Sequence, residues 1–272
     1  MTKTLLLTGA TDGIGLETAK MLAPLGHTLL LHGRNPSKLE ALAKTISAIE
    51  GAGEVKTYQA DLSDLAEVNA FADAVTADVP SLDALINNAG VFVMSNAQTK
   101  DGYDARFMVN TIAPYLLTRK LLPLMTTGGR VVNLSSAAQA PVSLDALHGQ
   151  RALSDGEAYA QSKLAITMWS AHLAAELGEN GPVVVAVNPA SFLGSKMVKE
   201  AYGRAGHDLS IGADILVRAA LSDEFAGASG RYYDNDRRSF SPPHSDAEDP
   251  AKCAQLVGVV EEIITQLIGL SL

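Results

Sequence analysis

Six short apolar runs, each followed by a longer stretch of helical periodicity, set the strongest limit on how this chain can fold. The runs are too short to be buried helices, and they are apolar nearly throughout, as strands are when both faces of a sheet are covered. Strands that alternate with helices predict an α/β fold with a doubly wound parallel sheet of about seven strands. The predicted strands are 4–8, 28–32, 55–59, 82–87, 131–135 and 183–188, with a seventh near 230–233, and the predicted helices are 14–25, 36–49, 62–79, 103–125 and 156–177.

Composition narrows the class of protein. A length of 272 residues without a Pro/Ser-rich linker favours one domain over 1–272. The formal charge of −9 argues against nucleic acid or an anionic membrane as the principal partner. Cys253 is the single cysteine, so neither an internal disulfide nor a cysteine-built metal site can form, and the histidines lack metal-ligand spacing. We therefore expect no bound metal.

Two segments bear on localisation. The first strand begins at residue 4, which leaves no room for a secretory signal, and polar residues interrupt the apolar segment 253–268. That segment predicts an amphipathic helix and not a membrane span. We expect a cytoplasmic protein without a membrane partner.

A glycine-rich turn, Thr8-Gly-Ala-Thr-Asp-Gly-Ile-Gly15, joins the first strand to the first helix. In a doubly wound sheet this position binds a pyrophosphate at the helix N-terminus. Gly9 and Gly13 can adopt positive φ and let phosphates approach the backbone, while Gly15 permits close packing of the helix. The spacing differs from Gly-x-Gly-x-x-Gly, and the alternative is a tight turn with a structural role only. The candidate contacts in this turn are Gly9, Thr11, Asp12, Gly13, Ile14 and Gly15.

The end of the second strand bears on the choice of dinucleotide. An NAD site places an acid there, whereas this chain has His32-Gly33-Arg34-Asn35, with Lys38 one turn into the next helix. Arg34, with Asn35 beside it, can bind a 2′-phosphate and no carboxylate opposes it, so NADP(H) is favoured over NAD(H). The alternative is a solvated loop arginine.

Asp61 and Leu62 follow the third strand. Asp61 could accept a hydrogen bond from an adenine amino group. Equally, Asp61 or Ser63 could be the N-cap of the next helix. The residues leave both interpretations open.

Tyr159 and Lys163 stand four residues apart in a predicted helix, so their side chains share a face. The ammonium can favour the phenolate and lower the pKa of the tyrosine, which makes the pair a proton-transfer device. By itself the spacing is weak evidence, because an exposed helix face carries this pair more often.

The chain also contains Asn87-Asn-Ala-Gly90, Asn110, Val132-Asn-Leu-Ser-Ser136 and Asn188-Pro189. Taken together with the glycine turn, Asp61-Leu62 and the Tyr159/Lys163 pair, these residues resemble the short-chain dehydrogenase/reductase family. The resemblance implies a Rossmann-type dinucleotide-binding core with the active site over 1–190, a substrate lid over 190–208 and C-terminal elements over 209–272. It also implies hydride transfer between nicotinamide and a carbonyl or alcohol carbon. The motifs that carry it occur in the family's order over nearly the whole chain: Thr8-Gly-x-x-x-Gly-x-Gly15, Asp61-Leu62, Asn87-Asn-Ala-Gly90, Asn110, Val132-Asn-Leu-Ser-Ser136, Tyr159-x-x-x-Lys163 and Asn188-Pro189.

By this resemblance Tyr159 would be the general acid in carbonyl reduction, and Lys163 would lower its pKa and bind the nicotinamide ribose. Ser136 would hold the substrate oxygen. It is preferred over Ser135 because side chains alternate along a strand and because the family places the catalytic serine second. Asn110 resembles the residue whose helix kink holds a water in a proton relay. The remaining candidate cofactor contacts are Asn87, Ala89, Gly90, Pro189 and Ser191.

The interval between Ser136 and Tyr159 departs from the compact members of the family. The two residues are twenty-three positions apart, and the extra segment, roughly 140–155, is expected to loop out beside the active site. With the segment 229–233 and Ser241-Pro242, this spacing is similar to the branch of retinol dehydrogenases, protochlorophyllide reductases and WW-domain oxidoreductases. No N-terminal apolar anchor is evident, so retinoid metabolism is not implied.

A second departure is Asn188-Pro189-Ala190-Ser191, where the family usually has Pro-Gly. Ala190 lacks the freedom of glycine at positive φ, so we expect the loop to take another path. Ser195 is a candidate for binding the carboxamide. The segment 192–207 fits either a mobile lid over an apolar substrate or an ordinary surface helix. Its apolar members are Phe192, Leu193, Met197, Val198 and Tyr202.

The favoured function is an NADP(H)-dependent oxidoreductase acting on a carbonyl or alcohol of a mainly apolar small molecule. The alternatives are a catalytically idle NADP(H)-binding sensor or scaffold, and a Rossmann-type methyltransferase. Arg106 and Asp155 are interpreted as surface or gating residues. Members of the family often form oligomers through the helices that here span 103–125 and 156–177, which makes a homodimer or homotetramer plausible. Pro114, which should kink the first of these helices, leaves a monomer open.

Overall fold

In the computed structural model, which describes residues 2–194, 203 and 206–272, the apolar runs form one twisted sheet. Its order is β3-β2-β1-β4-β5-β6-β7-β8, parallel except for the antiparallel pair β7 and β8. The sheet therefore has eight strands and not about seven. Its strands are β1 Thr4–Leu7, β2 Thr28–Gly33, β3 Val55–Gln59, β4 Leu82–Asn87, β5 Met125–Leu134, β6 Val183–Asn188, β7 Tyr232–Asp234 and β8 Ser239–Ser241.

Helices cover both faces of the sheet, as the continuous apolar strands require. We number those of nine or more residues. They are α1 Gly13–Leu22, α2 Pro36–Ser47, α3 Leu65–Asp78, α4 Ala113–Leu121, α5 Asp155–Leu177, α6 Leu209–Leu221 and α7 Pro250–Ile268. The core against α1, α2 and α6 lies on one face, and the larger core against α3, α4, α5 and α7 lies on the other. The α/β single-domain prediction is confirmed.

The predicted helix over 103–125 is interrupted. A short helix, Ala105–Phe107, leads into a π-helical turn, Met108–Ile112, and α4 follows from Ala113. Pro114 therefore sits in the first turn of a helix, where its missing N–H costs little. The predicted end at Met125 was wrong, because β5 already begins there.

The C-terminal helix α7 packs across α5 and α3. Val257, Val260 and Ile264 belong to the same buried cluster as Trp169 of α5. The phenol of Tyr115, in α4, donates a hydrogen bond to Glu261 of α7 over 2.7 Å. The outer surface of the helices expected to pair between subunits is thus covered by the chain itself.

The segment 140–155 does not simply loop out. It contains a short helix, Leu144–Leu147, capped by the Ser143 side chain. Ala146 and Leu147 are buried in the larger core, and this short helix packs against α7. Among the residues described, no helix combines the length and apolar character needed to cross a bilayer.

Candidate active site

A cleft of about 1130 Å³ opens along the carboxyl ends of the central strands. The strand order reverses between β1 and β4, and this is where doubly wound sheets bind ligands. Most of the candidate site residues line the cleft: Gly9, Thr11, Asp12, Gly13, Ile14, Gly15, Arg34, Asn35, Asp61, Leu62, Ala89, Gly90, Ser136, Tyr159, Lys163, Pro189 and Ser191. Asn87 and Asn110 do not.

The glycine turn has the geometry that its sequence predicts. Gly9 and Gly13 have φ values of +66° and +54°. A Cβ on Gly15 would lie 2.2 Å from the carbonyl oxygen of Gly9, so no side chain fits there. Helix α1 begins at Gly13 and presents its N-terminus to the cleft. A bare backbone and a helix N-terminus together suit an anion such as a pyrophosphate.

His32 and Asn88, neither of which was a candidate site residue, form hydrogen bonds with this turn. The Gly9 N–H donates to Nδ1 of His32 over 3.2 Å, which leaves Nε2 to donate to the Ala60 carbonyl over 3.1 Å. Burial lowers the pKa of His32 to about 4, so the ring is neutral. Asn88 donates from its amide to the carbonyls of Thr8 and Gly9. The Asn-Asn-Ala-Gly motif was the available signal for Asn88.

The adenosine end of the cleft differs from the expectation for Arg34. The guanidinium Nη1 lies 3.7 Å from a carboxylate oxygen of Asp61, so the inference that no carboxylate opposes Arg34 was wrong. The sequence could not show this pair, because it joins the ends of two different strands. Lys38 similarly lies 3.5 Å from Asp12. Both cations are well exposed and remain accessible from the cleft.

Neither predicted cap of α3 is the cap observed. Asp64 is the N-cap, and its side chain accepts from the Ala66 N–H. Asp61 instead accepts hydrogen bonds from the backbone and hydroxyl of Ser63 through one carboxylate oxygen. Its other oxygen is the one nearest Arg34. The carboxylate therefore faces the cleft and not the helix N-terminus.

Tyr159 and Lys163 both line the cleft. The Lys163 ammonium is buried and donates to the Leu134 carbonyl over 2.7 Å. It lies 5.7 Å from the centroid of the Tyr159 ring. Burial lowers the pKa of Lys163 to about 8. The lysine charge is thus held beside the phenol at a fixed place at the end of β5.

Ser135 and Ser136 point in different directions. The Ser135 hydroxyl is buried and bonds to the Lys163 carbonyl at 3.1 Å and to Thr167 at 2.7 Å. Ser136 lines the cleft, and its hydroxyl accepts from the Ala138 N–H. The buried phenol of Tyr232 donates to the Ser136 carbonyl over 3.0 Å, a support that the sequence did not reveal. These contacts favour Ser136 as the serine that can meet a ligand.

Asn110 lies inside the π-helical turn, almost fully buried. Its side-chain amide exchanges two hydrogen bonds of 2.9 Å with the backbone of Val91. It also donates to the Ser162 hydroxyl in α5 over 2.9 Å. Pro114 has no N–H to donate to the Asn110 carbonyl four residues earlier. In this structure Asn110 joins the loop after β4 to the helix that carries Tyr159.

Asn87 lies in the sheet and not in the cleft. Its amide donates to Asn133 of β5 over 2.8 Å and to Thr118 of α4 over 3.1 Å. The residue therefore supports the central strand, one of the roles expected of the Asn87-to-Gly90 motif. A cofactor contact for Asn87 has no geometric support here.

Phe92 was not singled out from the sequence, although it follows the Asn-Asn-Ala-Gly turn directly. Its ring centroid lies 4.4 Å from that of Tyr159, with the rings inclined by 31°. Val93 and Met94 continue the same wall of the cleft. The side of the cleft next to the phenol is thus apolar.

The loop after β6 keeps a backbone conformation that favours glycine. Ala190 has a φ of +125°, so the expectation that alanine would avoid positive φ was wrong. Phe192, half-exposed, and the buried Leu193 line the cleft. The Gly194 N–H donates to the His207 carbonyl, and the His207 N–H donates to the Phe192 carbonyl, each over 2.7 Å. The candidates Ser195, Met197, Val198 and Tyr202 lie outside the described residues.

Arg106 is not a surface or gating residue. It is 2% exposed, and its guanidinium donates to Asp104 and to Asp155. Asp155 is the first residue of α5, directly after the Ser154 cap. Arg106 therefore ties the start of the Tyr159 helix to the segment that carries Asn110.

The residues present suit a phosphorylated dinucleotide. The glycine turn leaves room at a helix N-terminus, the cationic side chains of Arg34 and Lys38 are exposed at one end, and Tyr159 with Lys163 stands at the other. Anion-binding groups, exposed cations and a proton-transfer pair share one cleft. Arg34, Lys38 and the turn Gly9–Gly15 are the groups that would hold the phosphates.

Comparisons with known proteins identify the family of the chain. Residues 3–205 match the model of the short chain dehydrogenase family. Retinol dehydrogenase 12 of Mus musculus is 33% identical over 251 residues, which are 88% of this chain and 79% of the relative. Polyprenol dehydrogenase of Homo sapiens is 32% identical over 256 residues, covering 87% of this chain and 78% of the relative.

Solved structures show the same fold. An uncharacterized protein from Mycobacterium paratuberculosis superposes with a TM-score of 0.78 at 30% identity, covering 97% of this chain and 93% of that one. A metagenomic short-chain oxidoreductase in complex with NADP gives 0.62 at 30% identity, over 82% and 92% of the two chains. The landomycin C-6 ketoreductase LanV, with bound NADP and rabelomycin, gives 0.67 at 26% identity, over 86% and 94%.

Proposed function

We propose that this chain, which belongs to the short-chain dehydrogenase family, is an NADP(H)-dependent oxidoreductase that interconverts a carbonyl and an alcohol on a mainly apolar small molecule. One observation carries the proposal. The partly exposed Tyr159 phenol, the buried Lys163 ammonium and the cleft-facing Ser136 meet in one cleft with the glycine turn at its other end. Family membership also removes the methyltransferase alternative.

In the proposed reaction Tyr159 donates a proton to the carbonyl oxygen during reduction and accepts it back during oxidation. Lys163 favours the phenolate, because its positive charge is held 5.7 Å from the ring. The Ser136 hydroxyl donates a hydrogen bond to the same substrate oxygen. Asn110 fixes the loop that carries Gly90 and Val91. NADPH, when bound, supplies the hydride.

The choice of NADP(H) rests on Arg34 and Lys38. Both are exposed cations at the end of the cleft opposite Tyr159, and a guanidinium can bind a 2′-phosphate through two N–H groups. The carboxylate of Asp61 competes for Arg34, but an exposed pair at 3.7 Å is weak. Two of the structural neighbours described above hold NADP, which supports the same choice.

The apolar substrate is inferred from the wall beside Tyr159. The Phe92 ring packs against that of Tyr159, and Val93, Met94, Phe192 and Leu193 line the same cleft. Relatives named for retinol and polyprenol, both apolar alcohols, support this class. A cytoplasmic location is part of the proposal, because a lone buried thiol, Cys253, fits a reducing compartment.

The test is a panel of apolar aldehydes and ketones incubated with NADPH, in which the absorbance of the reduced nicotinamide reports the consumption of NADPH. We expect turnover by the wild type on at least one carbonyl and a loss of about 10³-fold or more in Tyr159→Phe. Tyr103→Phe, at a tyrosine that is not part of the cleft lining and whose phenol contacts Gln266 of α7, is the matched control and should retain activity. Tight NADPH binding with no turnover, unchanged in Tyr159→Phe, would favour an idle cofactor-binding protein instead.

A further inference from the structure

The start of the loop after β6, residues 189–194, is held in a conformation that its sequence disfavours. Ala190 has a φ of +125° and Phe192 has a φ of +53°, in a region that side chains with a Cβ rarely adopt. Pro189, Ala190, Ser191 and Phe192 all line the cleft. Contacts from elsewhere must therefore keep this part of the cleft wall in place.

Asp236, in the turn between β7 and β8, supplies the most concentrated of those contacts. One carboxylate oxygen accepts from the Ser191 N–H over 2.8 Å. The other accepts from the Ser191 hydroxyl over 2.6 Å and from the Asn188 amide over 3.0 Å. A single carboxylate thus binds the residues on both sides of Pro189 and Ala190.

The neighbour of Asp236 holds the same loop through the backbone. The Asn235 N–H donates to the Asn188 carbonyl over 3.1 Å. Its side-chain amide donates to the Pro189 carbonyl over 2.9 Å and to Ile211 of α6 over 3.3 Å. The carbonyl oxygens that precede Ala190 are therefore fixed as firmly as the N–H that follows it.

The charge of Asp236 suits this role. Burial opposes its ionisation, but hydrogen bonds from Ser191 and Asn188 and the nearby imidazole of His207 hold its pKa below the ordinary value. The carboxylate is ionised at neutral pH and accepts three hydrogen bonds. Hydrogen bonds to a charged acceptor are stronger than those between neutral groups.

We infer that Asp236 is a positioning residue that keeps the Pro189–Ser191 loop in its positive-φ conformation and so shapes the nicotinamide end of the cleft. The inference rests on the proposed function only where it assigns this end of the cleft to the nicotinamide. The residue touches no reacting atom, and it acts through Ser191 and Asn188. Alanine at position 190 makes the loop depend on Asp236, because glycine would adopt the same backbone unaided.

Four proteins test the inference: wild type, Asp236→Ala, Ala190→Gly and the double variant. Thermal unfolding without cofactor is the first measurement, and the dissociation constant of NADPH is the second. We expect Asp236→Ala to lower Tm by about 3–6 °C and to weaken NADPH binding roughly tenfold. In proteins that carry Ala190→Gly, both losses should shrink by at least about half, because the two changes act on the same strain.

Asp214→Ala, which removes an exposed carboxylate from α6, is the control and should change neither quantity. Equal losses with and without Ala190→Gly would overturn the inference, since a general structural role is additive. If Asp236→Ala does not fold, Ser191→Ala and Asp236→Asn enter the same cycle and must show the same coupling. Failure of the wild type to bind NADPH would refute the proposed function, while the Tm cycle would still decide the role of Asp236.

Discussion

Arg34 and Asp61 face each other at the mouth of the cleft, with the guanidinium Nη1 3.7 Å from a carboxylate oxygen. The Arg34 side chain is 71% exposed, so water screens the pair and its attraction is weak. Arg34 can therefore exchange Asp61 for a 2′-phosphate at small cost. This relationship makes the cofactor preference a balance between two anions for one cation.

Replacing Arg34 and replacing Asp61 should change the affinity for NADPH in opposite directions. Arg34→Ala should weaken NADPH binding by about 10- to 100-fold and NADH binding by less than about threefold. Asp61→Asn should strengthen NADPH binding by up to about fivefold, because it removes the competing charge. Titration of both cofactors measures this, with Arg237→Ala, an exposed arginine of the β7–β8 turn, as the control. Equal losses for both cofactors in Arg34→Ala would show that Arg34 does not bind the 2′-phosphate.

The buried ammonium of Lys163 predicts an alkaline limit on activity. Its pKa is lowered to about 8 by burial, and only the protonated form can favour the phenolate. We expect kcat/KM for carbonyl reduction to fall above a pH of about 8, since this parameter reports the pKa values of the free enzyme. A profile flat to pH 10 would contradict this role.

The same shift predicts a pH dependence of stability. The unfolded chain keeps the lysine proton up to a pH near 10.5, whereas the folded chain releases it near 8. The free energy of unfolding should therefore rise with pH between these two values, because the unfolded chain binds more protons there. Urea titrations at several pH values measure this slope. Lys163→Met should remove it, and an unchanged slope in that variant would assign it to other groups.

The two serines at the end of β5 should separate catalysis from stability. Ser136→Ala should lower kcat by about 10²–10³-fold with little change in unfolding free energy, because Ser136 lines the cleft and its hydroxyl makes a local hydrogen bond to the Ala138 N–H, whereas that of Ser135 bonds to buried partners in α5. Ser135→Ala should cost about 0.5–1.5 kcal/mol of stability, because it removes the hydrogen bonds that a buried hydroxyl makes with Lys163 and Thr167. Steady-state kinetics and urea unfolding of both variants provide the check. The reverse pattern would assign the catalytic serine to position 135.

Arg106 should matter for stability more than any surface arginine. Arg106→Met leaves the partly buried carboxylate of Asp104 without its partner, and we expect a loss of about 3–5 kcal/mol. Arg237→Met, at an arginine side chain 75% exposed, should change stability by less than about 0.5 kcal/mol. Urea unfolding compares the two. Similar small effects would show that the Asp104–Arg106–Asp155 network contributes little.

The position of α7 predicts a monomer. Its apolar face packs on α5, and Glu261 accepts the Tyr115 hydrogen bond, so the outer surface of these helices is occupied within the chain. Light scattering after size exclusion should give a mass near 28.5 kDa. A dimer mass would require pairing through some other surface.

Strand bounds could be predicted closely where turn residues flank the strand. The bounds predicted for β3, β4 and β6 match those observed, because their ends coincide with turn residues. The start of β5 was missed, since Thr126 to Gly128 are exposed and carry no apolar signal. The edge strand β8, which pairs with β7, was missed because its three residues, Ser-Phe-Ser, include a single apolar side chain.

The candidate site was predictable to the extent that it follows from topology. Parallel strands end at one edge of the sheet, so the glycine turn, Ser136 and Pro189 had to converge there. Pairs such as Arg34 with Asp61, or Asp236 with Ser191, depend on where loops turn and which rotamers pack. Residue spacing along the chain carries no information about such pairs.

The most direct test of the central claim follows the hydride itself. NADPH carrying deuterium at C4 of the nicotinamide is incubated with the protein and an apolar ketone from the panel, and the alcohol is analysed by mass spectrometry. We expect one deuterium on the carbinol carbon, from one face of the nicotinamide only, and about 10³-fold slower formation of the labelled alcohol in Tyr159→Phe. Alcohol formed without deuterium from either face of NADPH would contradict it.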